Sequence, residues 1–210
     1  MSQARQLVSR GELLILLATV TAALAVSGIK PHDAMTWLLE VVPVLLVAPL
    51  LIFTGKRFPL TPLSYRLIAL HALILILGGH YTYAEVPLGF WIQDLFDLSR
   101  NPYDRIGHLA QGFVPAMVAR EILLRKTPLQ PGGWLFLLTV SICLAFSAFY
   151  EMIEWWVAII AGLSAEAFLG TQGDIWDTQW DMFLALIGAI TALLSLSRVQ
   201  DRQLRRMGVS

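Results

Sequence analysis

Charge is scarce in this chain: Asp, Glu, Lys and Arg make up only 14% of its 210 residues, where a soluble domain carries roughly a quarter. That scarcity excludes an ordinary water-soluble globule. Net charge is missing too, with 15 basic residues against 15 acidic, so nothing in the balance points to nucleic acid. Cys143 is the single cysteine; an intrachain disulfide is excluded, and its place within an apolar run marks it as buried filler. The sequence also lacks internal repeats and any polar stretch long enough for a separate soluble domain.

What it has in abundance is apolar length, 57% hydrophobic residues and a mean hydropathy of +0.66. A membrane-spanning helix needs roughly 20 mostly apolar residues at ~1.5 Å rise each. Six blocks fit, at about 12–29, 36–54, 63–81, 104–123, 134–160 and 178–197. The expected fold is therefore all-α, a polytopic bundle of six transmembrane helices forming one domain over residues 1–210. Pro43 and Pro49 predict a kink or a locally broken hydrogen-bond ladder in the second span. Arg5 and Arg10 before the apolar stretch Leu13 to Val26 resemble the start of a cleavable signal. An uncleaved first span is the preferred reading, because it preserves the charge pattern along the whole chain.

Six spans place twelve of the 15 basic residues on one side and only Lys30, Arg100 and Arg105 on the other. The positive-inside tendency makes the first side cytoplasmic, with both termini there. Six of the seven tryptophans, all but Trp134, fall near the outward side, where indole rings favour the interface. Between residues 84 and 103 the spacing of Phe90, Trp91, Leu95 and Leu98 predicts a short interfacial helix. Ser164 and Glu166 predict a capped turn in the other long outward segment.

The polar residues gather at the outward helix ends. Asp104, His108 and Gln111 share one face of the fourth span at i, i+4 and i+7, a pattern suited to a metal ligand or general base with its carboxylate orienter. Glu151 and Glu154 lie one turn apart near the end of the fifth, where they repel unless a cation, an arginine or a proton intervenes. Asp174, Asp177 and Asp181 follow at the start of the sixth. His80 and Tyr81 end the third span on the same side, and Arg100 and Arg105 carry the only guanidinium groups there. Deeper in the bundle, Glu40 and His71 are matched in depth, so a contact between them would relay protons. A capped helix start and ion pairing between helices account for some of these groups without any function.

Four stretches resemble the YjdF-like family of bacterial inner-membrane proteins. They are His80-Tyr81-Thr82-Tyr83, the run Arg100 to His108, Tyr150-Glu151-Met152-Ile153-Glu154-Trp155-Trp156, and the run Gly170 to Met182. That likeness covers about residues 10–200 and implies a multi-pass protein of the bacterial inner membrane, without a biochemical role. A more distant similarity is to VanZ-like membrane proteins, through Asp104 and His108, Glu151 or Glu154, and Asp177 and Asp181; it implies an envelope setting. The motif of lipid phosphatases, a Lys-led Arg-Pro followed by Ser-Gly-His, is absent.

The functional expectation is a membrane-embedded enzyme acting on a lipid or lipid-linked substrate. His108, Asp104, Glu151, Glu154 and His80 are the candidate catalytic residues, and Arg100, Arg105, Tyr81 and Gln111 the candidate substrate-binding ones. One divalent metal (Zn, Fe, Mn or Mg) is the candidate cofactor, held by His108, Glu151, Glu154, Asp177 and Asp181. Membrane lipids are the expected partners. A transporter or ion-coupled permease, and a noncatalytic envelope protein that binds a partner, are the alternatives.

Overall fold

A computed structural model describes residues 7–161 and 169–209; Arg5, Ser164 and Glu166 lie outside them. The described residues are all helical or loop. Seven α-helices follow one another: α1 Arg10–Ser27, α2 Ala34–Thr54, α3 Pro62–Tyr81, α4 Pro87–Phe96, α5 Tyr103–Lys126, α6 Gly133–Ala161 and α7 Asp177–Arg206. Five of them, α1, α2, α3, α6 and α7, are long and apolar enough to cross a membrane. The exception among the long helices is α5, which has the length but not the apolar composition. The expected count of six therefore rests on five helices that qualify unaided and a sixth that does not.

The starts of the helices follow from local chemistry. Ser9, Asp33 and Thr61 cap α1, α2 and α3, each accepting the backbone N–H three residues on, which supplies one of the orphan donors of a first turn. At Asp33 that bond, from Thr36 at 2.7 Å, holds the carboxyl below its ordinary range. Pro62 and Pro87 stand at first-turn positions, where no N–H is needed. Helix α2 runs through Pro43 and Pro49 without an interruption, although the carbonyls of Leu39 and Leu45 lose their helical donors there. The stretch whose aromatic spacing predicts a short helix forms α4, with Phe90, Trp91, Leu95 and Phe96 exposed.

The pairing of α5 with α7 sets the geometry of the interior. A Cβ on Gly112 would lie 1.8 Å from the carbonyl oxygen of Ala185, and one on Gly188 would lie 2.1 Å from that of Leu109. Both positions need a hydrogen where any other residue has a side chain, so the two backbones touch. Tyr83, in the 3-10 turn Tyr83–Glu85, wedges its ring between Gly78 and Gly107 by the same device. The α3–α4 connection is thereby fastened to α5 one residue from His108.

Along the bundle the interior falls into three layers. At one end lie Asp104, His108, Glu151, Glu154, Asp177 and Asp181, all buried. The middle is an apolar belt of Ala116, Met117, Cys143, Ala189, Ala192 and Leu193. Beyond it comes a second polar layer, around Glu121. That carboxylate accepts from the Thr61 N–H and hydroxyl, the Ser64 hydroxyl and Arg125. Gln200 joins Arg120, Ser64 and the Met117 carbonyl, and Arg120 also reaches Asp201.

Candidate functional site

Four chain segments build the first polar layer. The opening turns of α5 bring Asp104 and His108, the later turns of α6 bring Glu151 and Glu154, the first two turns of α7 bring Asp177 and Asp181, and the turn before α5 brings Arg100. Because α5 and α7 touch at Gly112 and Gly188, the carboxylates of α7 are pressed against the His108 face of α5.

His108 is the hub. Its Nε2 lies 3.5 Å from Asp104 Oδ1 and 3.9 Å from Asp181 Oδ2, and its Nδ1 lies 3.8 Å from Glu151 Oε1. Hydrogen bonds of this type close to about 2.7–3.2 Å. Two atoms that share a cation at ~2.1 Å stand about 3.4 Å apart in a tetrahedral arrangement and about 4.2 Å apart when opposite. The spacings around His108 are too long for the first and right for the second. Asp104, His108 and Asp181 each present a ligand atom, all within 4.8 Å of one another, and His108, Glu151 and Glu154 form a second such group. Asp104 Oδ2, His108 Nδ1, Glu151 Oε1 and Asp181 Oδ1 are buried and have no hydrogen-bond partner.

The two arginines do something different. Arg100 donates to Asp177 Oδ1 and to the carbonyls of Thr171 and Gly170, and lies 3.6 Å from both Asp104 and Asp174. Its guanidinium ties the 170–177 segment to the start of α5. Asn101 and Gln172 reinforce this tie by exchanging hydrogen bonds through backbone and side chain. Arg105 donates to Asp174 at 2.9 Å and lies over the Trp180 ring; a third of its side chain is exposed. Of the residues expected to hold an anionic substrate, Arg100 is therefore committed within the protein, and Arg105, though paired with Asp174, is partly exposed.

Other expected residues stand apart. His80 places Nδ1 2.8 Å from the Ser27 carbonyl, its own carbonyl accepts from His32, and Tyr81 lies edge-on against its ring. Among the described residues no hydrogen bond or ion pair joins His80, Tyr81 or Gln111 to the carboxylates. His71 leaves Nε2 buried and unpartnered. Glu40 meets the Tyr150 hydroxyl at 3.4 Å rather than His71. Tyr150 is a neighbour that sequence reasoning missed, although it precedes Glu151 and lies i, i+4 from Glu154, a spacing that places it on the same helix face.

The family described as "Predicted membrane protein (DUF2238)" matches residues 12–202. The chain is 55% identical over 191 residues to the "Inner membrane protein YjdF" of Escherichia coli (strain K12), covering 91% of each chain. These matches carry the YjdF-like resemblance and not the VanZ-like one. No solved structure matches.

Proposed function

From the premise that this chain belongs to the DUF2238 family of membrane proteins, we propose that its His–carboxylate layer is the divalent-metal centre of an enzyme acting on a lipid or lipid-linked substrate. The carrying observation is the 3.5–3.9 Å separation between the His108 nitrogens and three carboxylates with orphaned oxygens. Imidazole nitrogen with carboxylate oxygen suits Zn²⁺, Fe²⁺ or Mn²⁺, and an all-oxygen subset suits Mg²⁺. Such an ion supplies Lewis acidity and an activated water.

The residues divide the remaining work. His108, Glu151 and Glu154 would hold the cation, and Asp104 and Asp181, 3.5 and 3.9 Å from the other ring nitrogen, would steady the imidazole by their charge. Arg100, fixed by Asp177, keeps the 170–177 segment over the site. Arg105 offers its exposed edge to an anionic headgroup. In this reading α5 is the sixth crossing, enclosed by its neighbours, and both termini face the cytoplasm. The site then opens to the outer leaflet of the inner membrane, the membrane named for the E. coli relative. The apolar belt favours an enzyme over a permease: among the described residues its cluster holds no charged side chain, and the buried, unpartnered His71 does not by itself make a chain across it.

The test is a conversion assay. Full-length protein purified without chelators is incubated with Mn²⁺ and a bacterial envelope-lipid extract, and the lipids are followed by mass spectrometry. The expected result is a new lipid species that vanishes with EDTA or in H108A and falls by ~10–100-fold in D104N, as for loss of an orienting carboxylate. Folded protein that binds no metal, together with H108A and E151A variants that keep full cellular activity, would sink the proposal.

A further inference from the structure

We infer that the site takes two divalent cations, one on each nitrogen of the His108 ring, which bridges them. This rests on the metal-site reading above and extends it from one ion to two.

Among the described residues, seven carboxylates stand in or against this layer: Glu40, Asp104, Glu151, Glu154, Asp174, Asp177 and Asp181. Two of these negative charges are matched within the protein, one by Arg100, which bonds Asp177 and lies 3.6 Å from Asp104 and Asp174, and one by Arg105 on Asp174. Glu40 has the Tyr150 hydroxyl. Four remain, and they are distributed evenly about one imidazole. Asp104 and Asp181 flank Nε2, while Glu151 approaches Nδ1 and Glu154 completes its group. Each half is thus a ring nitrogen and two carboxylates, a formal charge of −2 that one divalent cation neutralises. A single ion would leave the opposite half as two buried carboxylates facing each other, an arrangement that is costly without a counter-charge.

Orphaned atoms belong to groups on both sides of the ring. Asp104 and Asp181 face Nε2 through Oδ1 and Oδ2 and leave their other oxygens, Asp104 Oδ2 and Asp181 Oδ1, without hydrogen-bond partners, while His108 Nδ1 and Glu151 Oε1 face each other unpartnered. His108 is itself only 6% exposed, so water does not satisfy its ring from bulk. A neutral imidazole has one lone pair for a metal and one N–H. When the second cation binds, that N–H gives its proton to water, and the freed lone pair becomes the second metal–nitrogen bond.

Counting the ions tests this. Full-length protein in detergent is stripped with EDTA, loaded with Mn²⁺, desalted, and measured for manganese per chain and for its electron paramagnetic resonance spectrum. Wild type should retain two Mn²⁺ per chain, with the six-line signal of isolated Mn²⁺ suppressed by coupling through the ring. D181N and E154Q should each retain one and regain the six-line signal, and H108A should retain neither tightly; circular dichroism reports their fold. One ion per chain in wild type overturns the two-ion inference and leaves the proposed function standing. Two ions with an undiminished six-line signal overturn the bridge, and no retained ion overturns both readings. The wild-type stoichiometry and spectrum decide even where a variant fails to fold.

Discussion

Glu121 and Glu151 are both buried glutamates on long helices, and they differ in what their oxygens meet. Glu121 is fully buried and accepts four kinds of donor, from Thr61, Ser64 and Arg125. Glu151 has an oxygen with no donor and three other carboxylates around the same imidazole. Replacing Glu121 by Ala leaves the Arg125 guanidinium without its counter-charge, and should cost about 3–5 kcal/mol, as for removal of one partner of a buried pair. Thermal unfolding in detergent checks this, with metal binding unchanged in the fraction that remains folded. Glu151→Gln should do the reverse to the metal-free protein. It removes one of the mutually repelling carboxylates, so the melting temperature should hold or rise while metal affinity falls. The gathering of Asp104, His108, Glu151, Glu154 and Asp181 at one end of the bundle was legible because apolar surroundings make each ionisable group conspicuous. Glu121 was not, because at the basic end of a span it reads as one charge among many. Its i, i+4 spacing to Arg125 was the available signal.

Among the elements, α5 carries the most consequence and the weakest hydropathy signal. Its interior face holds Asp104, His108, Arg120 and Glu121, which lowers its apolar content for the same reason that it matters. The apolar blocks were legible to within a few residues at most ends, since chain length across a bilayer is fixed by helical rise. Helix α7 is the exception, running nine residues past the block ending at 197, to Arg206. Those extra turns are polar and carry Gln200, Asp201 and Gln203, which bind the neighbouring helices. The contact of α5 with α7 was not legible, because a glycine in a sequence does not say whose backbone it approaches. Gly112→Ala and Gly188→Ala should each force the helices apart, abolishing metal retention and lowering folded yield on size-exclusion chromatography. Gly133→Ala is the control, since a Cβ there meets nothing within 4 Å; it should leave both unchanged.

For the whole molecule, the orientation proposed from charge bias is open to direct labelling. Cys143 is buried, so single cysteines introduced at exposed positions report against a quiet background. A membrane-impermeant maleimide applied to intact spheroplasts should label S99C at once and Q130C only after permeabilisation. The opposite pattern would place the His108 layer on the cytoplasmic side. The apolar belt has a further, electrical consequence. From His108 to Arg120 is twelve residues of α5, or ~18 Å of helix, and the apolar belt of Ala, Met, Cys and Leu lies between them. Most of a transmembrane voltage falls across such a low-dielectric slab, where moving one charge through 100 mV is worth ~2.3 kcal/mol. Cations that enter and leave the His108 layer from its own side cross almost none of that field. Their binding should be indifferent to whether the cell is energised, and the belt acts as the insulator that makes it so.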